Sequence, residues 1–497
     1  MKISKITRIA VCLLVMLFFA EIFTAAYCIF LNGGYSGFDL GKNNQSIWLL
    51  SHLRYPFNTI MGMNTFGDHM HIVLLFLTPF YIFWQSPACL LFINILFRAI
   101  GIYIVYLLAK KLLNNNMLAL LFAILIAFNP EYINASLDHF YPEELASPLI
   151  FIAFYMMLKE NYTLMFISLF LIASVKEDAP AIAFMITTYF LILKLIESYK
   201  IKTYNKKLIF FTIIFLAFLI AYFLISIKTI AYLSNNNKGF SDNRVFGPLS
   251  TNLFNINYYT FQLSSPDTKK YIDDILGPFG YMPLLSPDIL ILCAPSLVFN
   301  ILTPWPYARN ILFHYSVYIT PILLLSVMHI FKRIIYIGKK LKIEKISYVT
   351  MLILSIFLLN STIIHNLSSS KIPISDYTTN VRKNLEFYNN NIERNEFETA
   401  ANMIPPYANV SADVFLVTRL TSRPYVYQFT NPWRNLYWGN PGADTPADEK
   451  TIQYIIIKYN ILNNQDSMLI DTLINNREYK VIYRGENNEI LLLERIK

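Results

Sequence analysis

The run from Ile9 to Leu31, opened by Lys2, Lys5 and Arg8, is long enough to cross a hydrocarbon layer as one helix and holds a single acid, Glu21. Comparable runs recur as far as Ile364. In lipid each backbone N–H and C=O must be satisfied within the chain, so such runs fold as helices. The 497 residues are 55% hydrophobic and only 15% charged, with a positive mean hydropathy, which is more apolar surface than one soluble core absorbs. The expected fold class is a polytopic α-helical membrane protein. No small-residue cleavage site follows the first run, so it reads as an anchor with a cytoplasmic N-terminus.

A formal charge of +9 could suit nucleic acid, but the lysines and arginines lie in short clusters at the ends of apolar runs. That is the positive-inside pattern, which assigns the charge to membrane orientation and excludes a nucleic-acid partner from the reading. Cys12, Cys28, Cys89 and Cys293 have unrelated spacings within or beside apolar runs, and read as small core residues.

Taken in order, the loop after the first run is placed outside, with a helical stretch around Gln45, Trp48 and Leu49. Ile72 to Trp84 is apolar but short, as in an interfacial or re-entrant helix. The chain then crosses to Lys110 and Lys111, returns by Phe128, crosses to Lys159, returns by Val175 and crosses to Lys194. Leu208 to Ile227 leads out to a polar loop, Ser234 to Pro287. Ile289 to Leu302, interrupted by Pro295, reads as re-entrant, and a last span lies near Ser347 to Ile364. The count is about nine spans and two partial helices. Residues 1–367 form this membrane domain, and 368–497 a soluble extracytoplasmic α/β domain. Within it Lys383 to Met403 has helical periodicity; Asn409 to Ala412, Tyr425 to Phe429, Tyr454 to Ile457, Tyr479 to Tyr483 and Ile490 to Leu493 read as strands, with a turn at Gly485 to Asn488.

This topology gathers Asp39, Asp68, His69, His71, Asp138, His139, Glu143, Glu144, Lys176, Glu177, Asp178, Arg309 and His314 at the outer ends of spans. An ionised group left in hydrocarbon costs about 2.5 to 3.5 kcal/mol on insertion scales, so such a cluster belongs at a membrane face or in a polar cavity. Each residue also has a structural reading. Asp39, Asp68 and Asp138 could cap helices, Pro142 could open a helix with Glu143 and Glu144 in its first turn, and Arg309 could snorkel. The functional reading makes Asp138 and Glu143 general-base candidates beside His139. Lys176 is then a phosphate contact, and Arg309 with His314 holds an anion. His69-Met70-His71 suits a metal only on an extended strand. Glu21 and Arg98, both within spans, could pair with each other.

Phe38-Asp39-Leu40-Gly41, Gln45 with Trp48, Phe66-Gly67-Asp68-His69, Asp138-His139-Phe140-Tyr141-Pro142-Glu143 with Pro148-Leu149, Lys176-Glu177-Asp178, and His314-Tyr315 before Pro321 occur in that order. With Val410-Ser411-Ala412 through Arg423, they resemble the signature stretches of the DUF2079 family of membrane proteins over nearly the whole chain. Two positions depart from that pattern: Phe140 and Tyr141 separate His139 from Pro142, and His71 stands where a small polar residue is expected. The family is similar in layout to membrane glycosyltransferases of the GT-C type. That resemblance implies transfer of a sugar from a polyprenyl-phosphate donor to an extracytoplasmic acceptor at the cell membrane, with no nucleotide-binding loop. It implies Asp39 as the acid that takes the acceptor's proton, with Asp138 or Glu143 assisting or holding a divalent metal ion. Lys176 or Arg309 then offsets the leaving phosphate, and Asp68, His69, His139, Glu177, Asp178 and His314 line the substrate site. The rival classes are a transporter or lipid flippase, whose site sits near the bilayer midplane between repeated halves, and a non-catalytic cell-surface protein.

Overall fold

The computed structural model describes residues 2–234, 250–252, 254–389, 392–434, 437, 448–486 and 489–496. The Asn235 to Asn237 run and the turn residues Asn487 and Asn488 lie outside them.

Six helices are long and apolar enough to cross a membrane: Ser4–Leu31, Pro87–Leu113, Ala179–Ile201, Lys206–Leu233, Ile319–Lys340 and Glu344–Ser369. Asn116–Ala127 and Pro130–Ser136 make a seventh if the pair, bent by 52°, is one span. The remaining crossings of the expected nine fall on Ala146–Leu158 and Tyr162–Ala173, helices of 13 and 12 residues. At about 1.5 Å per residue they are shorter than a hydrocarbon layer of about 30 Å, which is why a count by apolar runs exceeds a count by length. The two partial helices appear as Val73–Tyr81 and as a broken stretch ending in Ala294–Leu302.

Asparagine sets most of the turns. Asn114, at φ +51°, ends one helix, and the Asn115 side chain accepts from Met117 N and Leu118 N to start the next. Asn129 caps the short helix that Pro130 opens, and this pair makes the bend. Asn161 and Asn205 cap the helices after them in the same way.

The polar tail begins with Tyr377–Asn389, which packs on the N-terminal helix, followed by Ile392–Asn402. The described residues of the Lys383 to Met403 stretch are helical over most of its length, as its periodicity predicts. After the short antiparallel pair β1 (Phe57–Asn58) and β2 (Met63–Asn64) in the loop behind the first helix, the tail forms a five-stranded sheet: β3 (Val410–Ala412), β4 (Val426–Gln428), β5 (Tyr454–Lys458), β6 (Tyr479–Arg484) and β7 (Ile490–Arg495), in the order β4-β3-β5-β7-β6. β4, β3 and β5 run parallel, while β7 pairs antiparallel to β5 and β6. Asn464–Asn475 is a helix that the sequence reading passed over. The sheet is tied to the loop after the first helix. Gly37 N donates to Val414 O at 2.8 Å, Thr418 Oγ1 to Tyr35 O at 2.9 Å, and Asn44 Nδ2 to Thr421 Oγ1 at 2.8 Å.

Candidate functional site

The site is built on the loop between Ser136 and Ala146, and its anchor is Arg98. This fully buried guanidinium donates to Ser136 Oγ at 2.7 Å, Tyr132 O at 2.8 Å and Glu144 O at 3.4 Å, holding both ends of the loop. It also lies 4.1 Å over the Tyr132 ring. A pairing of Glu21 with Arg98 is not formed: three oxygens beside Arg98 satisfy it, and Glu21 Oε2 is buried without a hydrogen bond. Asn94 Nδ2 bonds Glu144, whose carboxyl burial pushes well above the usual range despite Arg98.

Between those ends the loop presents Asp138, His139, Tyr141 and Glu143. His314, from the segment before Ile319, lies between two acids, with Nδ1 3.4 Å from Asp138 Oδ2 and Nε2 3.3 Å from Glu143 Oε1. Tyr141 stacks on the His314 ring at 3.5 Å. Burial would lower the His314 pKa, but the two carboxylates raise it. Burial would raise Asp138 and Glu143, but His139, His314 and Lys371 hold Asp138 low, and Lys176 and His314 hold Glu143 low. His139 Nδ1 sits 3.4 Å from Asp138 Oδ1 and 3.8 Å from Asp39 Oδ2.

Lys176 Nζ lies 3.0 Å from Glu143 Oε1. Burial opposes its charge, yet Glu143, Asp178 and Glu177 raise its pKa well above the usual lysine range. Glu177 Oε1 meets His69 Nδ1 at 2.8 Å, and Tyr318 OH donates to Asp178 Oδ1 at 3.4 Å. Asp68 pairs with Lys42 at 2.6 Å. His71 Nδ1 lies 2.6 Å from Val175 O, and burial pushes its pKa down to about 4, so it is neutral near pH 7.

Pro142 does open a short helix with Glu143 and Glu144 in its first turn, but the side-chain capping readings do not describe the aspartates. Asn64, not Asp68, caps the turn Thr65–Asp68; Ser36 and Tyr141 precede the turns that contain Asp39 and Glu143; and Asp178 makes no side-chain cap. His69 is extended, the conformation His-x-His needs for a metal. Among the described residues, however, no group of three or more His, Cys, Asp or Glu side chains is arranged to hold a metal ion. Most of these donors are engaged instead by Lys42, Lys176 and the histidines as ion pairs.

Two cavities meet here. One, of about 240 Å³, runs from His69, Glu143, Lys176 and His314 towards Phe223, Pro295 and Phe299. The other, of about 540 Å³, runs from the same four side chains past Asp39, Lys42 and Asp68 to Val414 and Gln428 of the C-terminal domain. Glu143 Oε2, in a residue only 3% exposed, has no hydrogen-bond partner in the described structure. Arg309 is not brought to this centre. Its Nη1 donates to Gln262 Oε1 at 2.9 Å and to Ile301 O and Thr303 O, and it lines a separate groove with Lys270 and Asp274. It faces carbonyls freed by the broken helix before it, which competes with the expected anion.

Sequence reasoning missed Lys42, Lys371 and the aromatic lining. Lys42 follows Asp39 by three residues and is buried, the one signal that could have found it. Tyr141, read only as a separator of His139 from Pro142, is the ring that stacks on His314.

The family model described as "Predicted membrane protein (DUF2079)" matches residues 34–492. The chain belongs to the DUF2079 family. This DUF2079 protein has no match among curated proteins. Its structure is similar to that of ArnT from Cupriavidus metallidurans bound to undecaprenyl phosphate, with a TM-score of 0.53, 10% identity, and coverage of 98% of this chain and 97% of that one. The apo form of ArnT gives 0.46 at 11% identity over 93% and 94%. The Archaeoglobus fulgidus oligosaccharyltransferase gives 0.38 at 13% over 95% and 72%. The first of these likenesses is one of fold: this DUF2079 protein is folded like ArnT.

Proposed function

We propose that this protein is a membrane glycosyltransferase that moves a sugar from a polyprenyl-phosphate donor to an acceptor on the extracytoplasmic side of the cell membrane. The orientation follows from the lysines at the opposite end of the bundle, Lys110, Lys111, Lys159, Lys200 and Lys339 among them. The observation that carries the reading is the pair of cavities sharing one charged floor. The narrow one leads among apolar side chains of helices 206–233 and 294–302, as a lipid-borne phosphate requires. The wide one opens between the first loop and the C-terminal sheet, as an acceptor requires.

In transfer, the bond from sugar C1 to the phosphate oxygen breaks and a bond from C1 to the acceptor oxygen forms. The electron pair of the broken bond leaves with the lipid phosphate. The Lys176 ammonium meets that charge, with His314 and His69 as further cations, and Asp39 takes the acceptor's proton. Asp138 and Glu143 hold His314 and Lys176 in place, so the catalysis is positioning and electrostatic stabilisation where water is scarce. The test is Asp39→Asn in membranes supplied with a labelled polyprenyl-phosphate sugar. Loss of transfer with donor binding kept is expected; unchanged transfer would refute the role of Asp39.

A further inference from the structure

The wide cavity has a lining that discriminates among acceptors. Its volume of about 540 Å³ lies within the range of about 300 to 1,000 Å³ for small-ligand sites. One wall is a ladder of rings, with Trp305 to Tyr307 at 4.9 Å and 56°, and Tyr307 to Phe313 at 4.9 Å and 82°. Tyr307 is 44% exposed, an apolar face left open. The same cavity is lined by the Asp39 carboxylate and, from β4, by the side-chain amide of Gln428. The Lys42 ammonium near them is neutralised by Asp68 at 2.6 Å.

We infer that the wide cavity receives the acceptor as a neutral pyranose of a glycan, laid against the Trp305–Tyr307–Phe313 wall and gripped at its hydroxyl edge by Gln428 of the C-terminal sheet. The inference rests on the transferase reading and adds the class of acceptor to it. A pyranose has a polarised C–H face and a hydroxyl rim. The negative face of an aromatic ring attracts the first, and an amide and a carboxylate bond the second. Beside Asp39 an anionic acceptor is disfavoured and finds Lys42 already paired with Asp68, while the Lys176 and His314 side chains belong to the floor shared with the donor cavity, where the leaving phosphate is met. The C-terminal domain then selects the acceptor, and the membrane part selects the donor.

The test uses the full chain in lipid nanodiscs. Binding is measured by calorimetry for three neutral trisaccharides (chitotriose, mannotriose and maltotriose), for a neutral hexapeptide, and separately for undecaprenyl phosphate. At least one trisaccharide should bind, and Tyr307→Ala and Gln428→Ala should each weaken it about three- to tenfold, the order of one aromatic contact or hydrogen bond. Both variants should keep undecaprenyl-phosphate binding, which shows that they are folded. Binding of no trisaccharide, binding of the hexapeptide alone, or equal trisaccharide affinity in both variants would overturn the inference while leaving the donor reading intact. Trisaccharide binding without undecaprenyl-phosphate binding would instead support glycan recognition and sink the transferase reading.

Discussion

Lys176→Met tests whether the floor of the two cavities is one electrostatic unit. At 3.0 Å from Glu143 Oε1, and with an effective dielectric of about 20, the gross attraction is about 5 kcal/mol. Removing the ammonium strands a carboxylate in a residue that is 3% exposed and already has one oxygen unpartnered. His314 stays 3.3 Å away, so the expected cost is at the lower end for a broken buried pair, about 3 kcal/mol. Glu143→Gln leaves Lys176 buried beside Asp178 and Glu177, with a similar or smaller loss. The double variant has neither stranded charge and should recover about 2 kcal/mol relative to the sum of the singles. Unfolding by SDS titration in detergent micelles measures the cycle, and transfer of labelled sugar is followed in parallel. Transfer should fall about 100- to 1,000-fold in each variant carrying Lys176→Met, because that ammonium meets the leaving phosphate. Stability that recovers while transfer does not is the expected signature. Additive stability losses would refute the pairing.

Arg98→Lys should destabilise the chain about as much as Arg98→Met, roughly 3 kcal/mol by the same titration, because an ammonium cannot span Ser136, Tyr132 and Glu144 as the fork does. Wild-type stability in the lysine variant would contradict the anchoring role. The His69 and His314 pKa values are raised above 6.5, so the stability they contribute is fully present below 6.5 and is lost as pH rises through their folded values. Glu177→Gln removes the carboxylate that does most to raise His69 and should move that loss to lower pH. Stability–pH curves that superimpose on wild type would count against the pair.

Most of the fold was legible because lipid leaves the backbone few options, and helices 87–113, 206–233 and 344–369 follow directly from long, mainly apolar runs. The strands of the tail were legible from β-rich stretches bounded by turns. The 464–475 helix was not, because Asn464, Gln465, Asp466 and Ser467 hide the periodicity of its buried residues, Ile470 and Leu473. The convergence of Asp39, Asp138, Glu143, Lys176 and His314 followed from topology, since they lie on loops at one end of the bundle. Partner choice did not. Arg309 carried the same outward signal as Lys176, but the carbonyls of Ile301 and Thr303 lie within its reach, and only coordinates distinguish the two. Lys42 escaped because a lysine beside an outer acid looks solvated until Asp68 is brought 2.6 Å from it.

The proposed reaction accounts for a charged floor that stability alone does not require. Glu143, His314, Asp138 and Lys176 are each removed from water, and desolvation opposes the charged form of all four. A packed apolar layer of the same volume would be as stable or more so. The neighbouring carboxylates nonetheless favour the charged forms of Lys176 and His314 on the wall shared by both cavities, where a departing phosphate would meet them. A transporter's site would lie near the bilayer midplane between repeated halves; the buried charge near the middle of the 87–113 helix, Arg98, is instead spent on Ser136, Tyr132 and Glu144 of the site loop's two ends. Polar groups concentrated at one end, joined to an apolar approach on one side and a soluble domain on the other, fit a reaction at the interface better than passage across it.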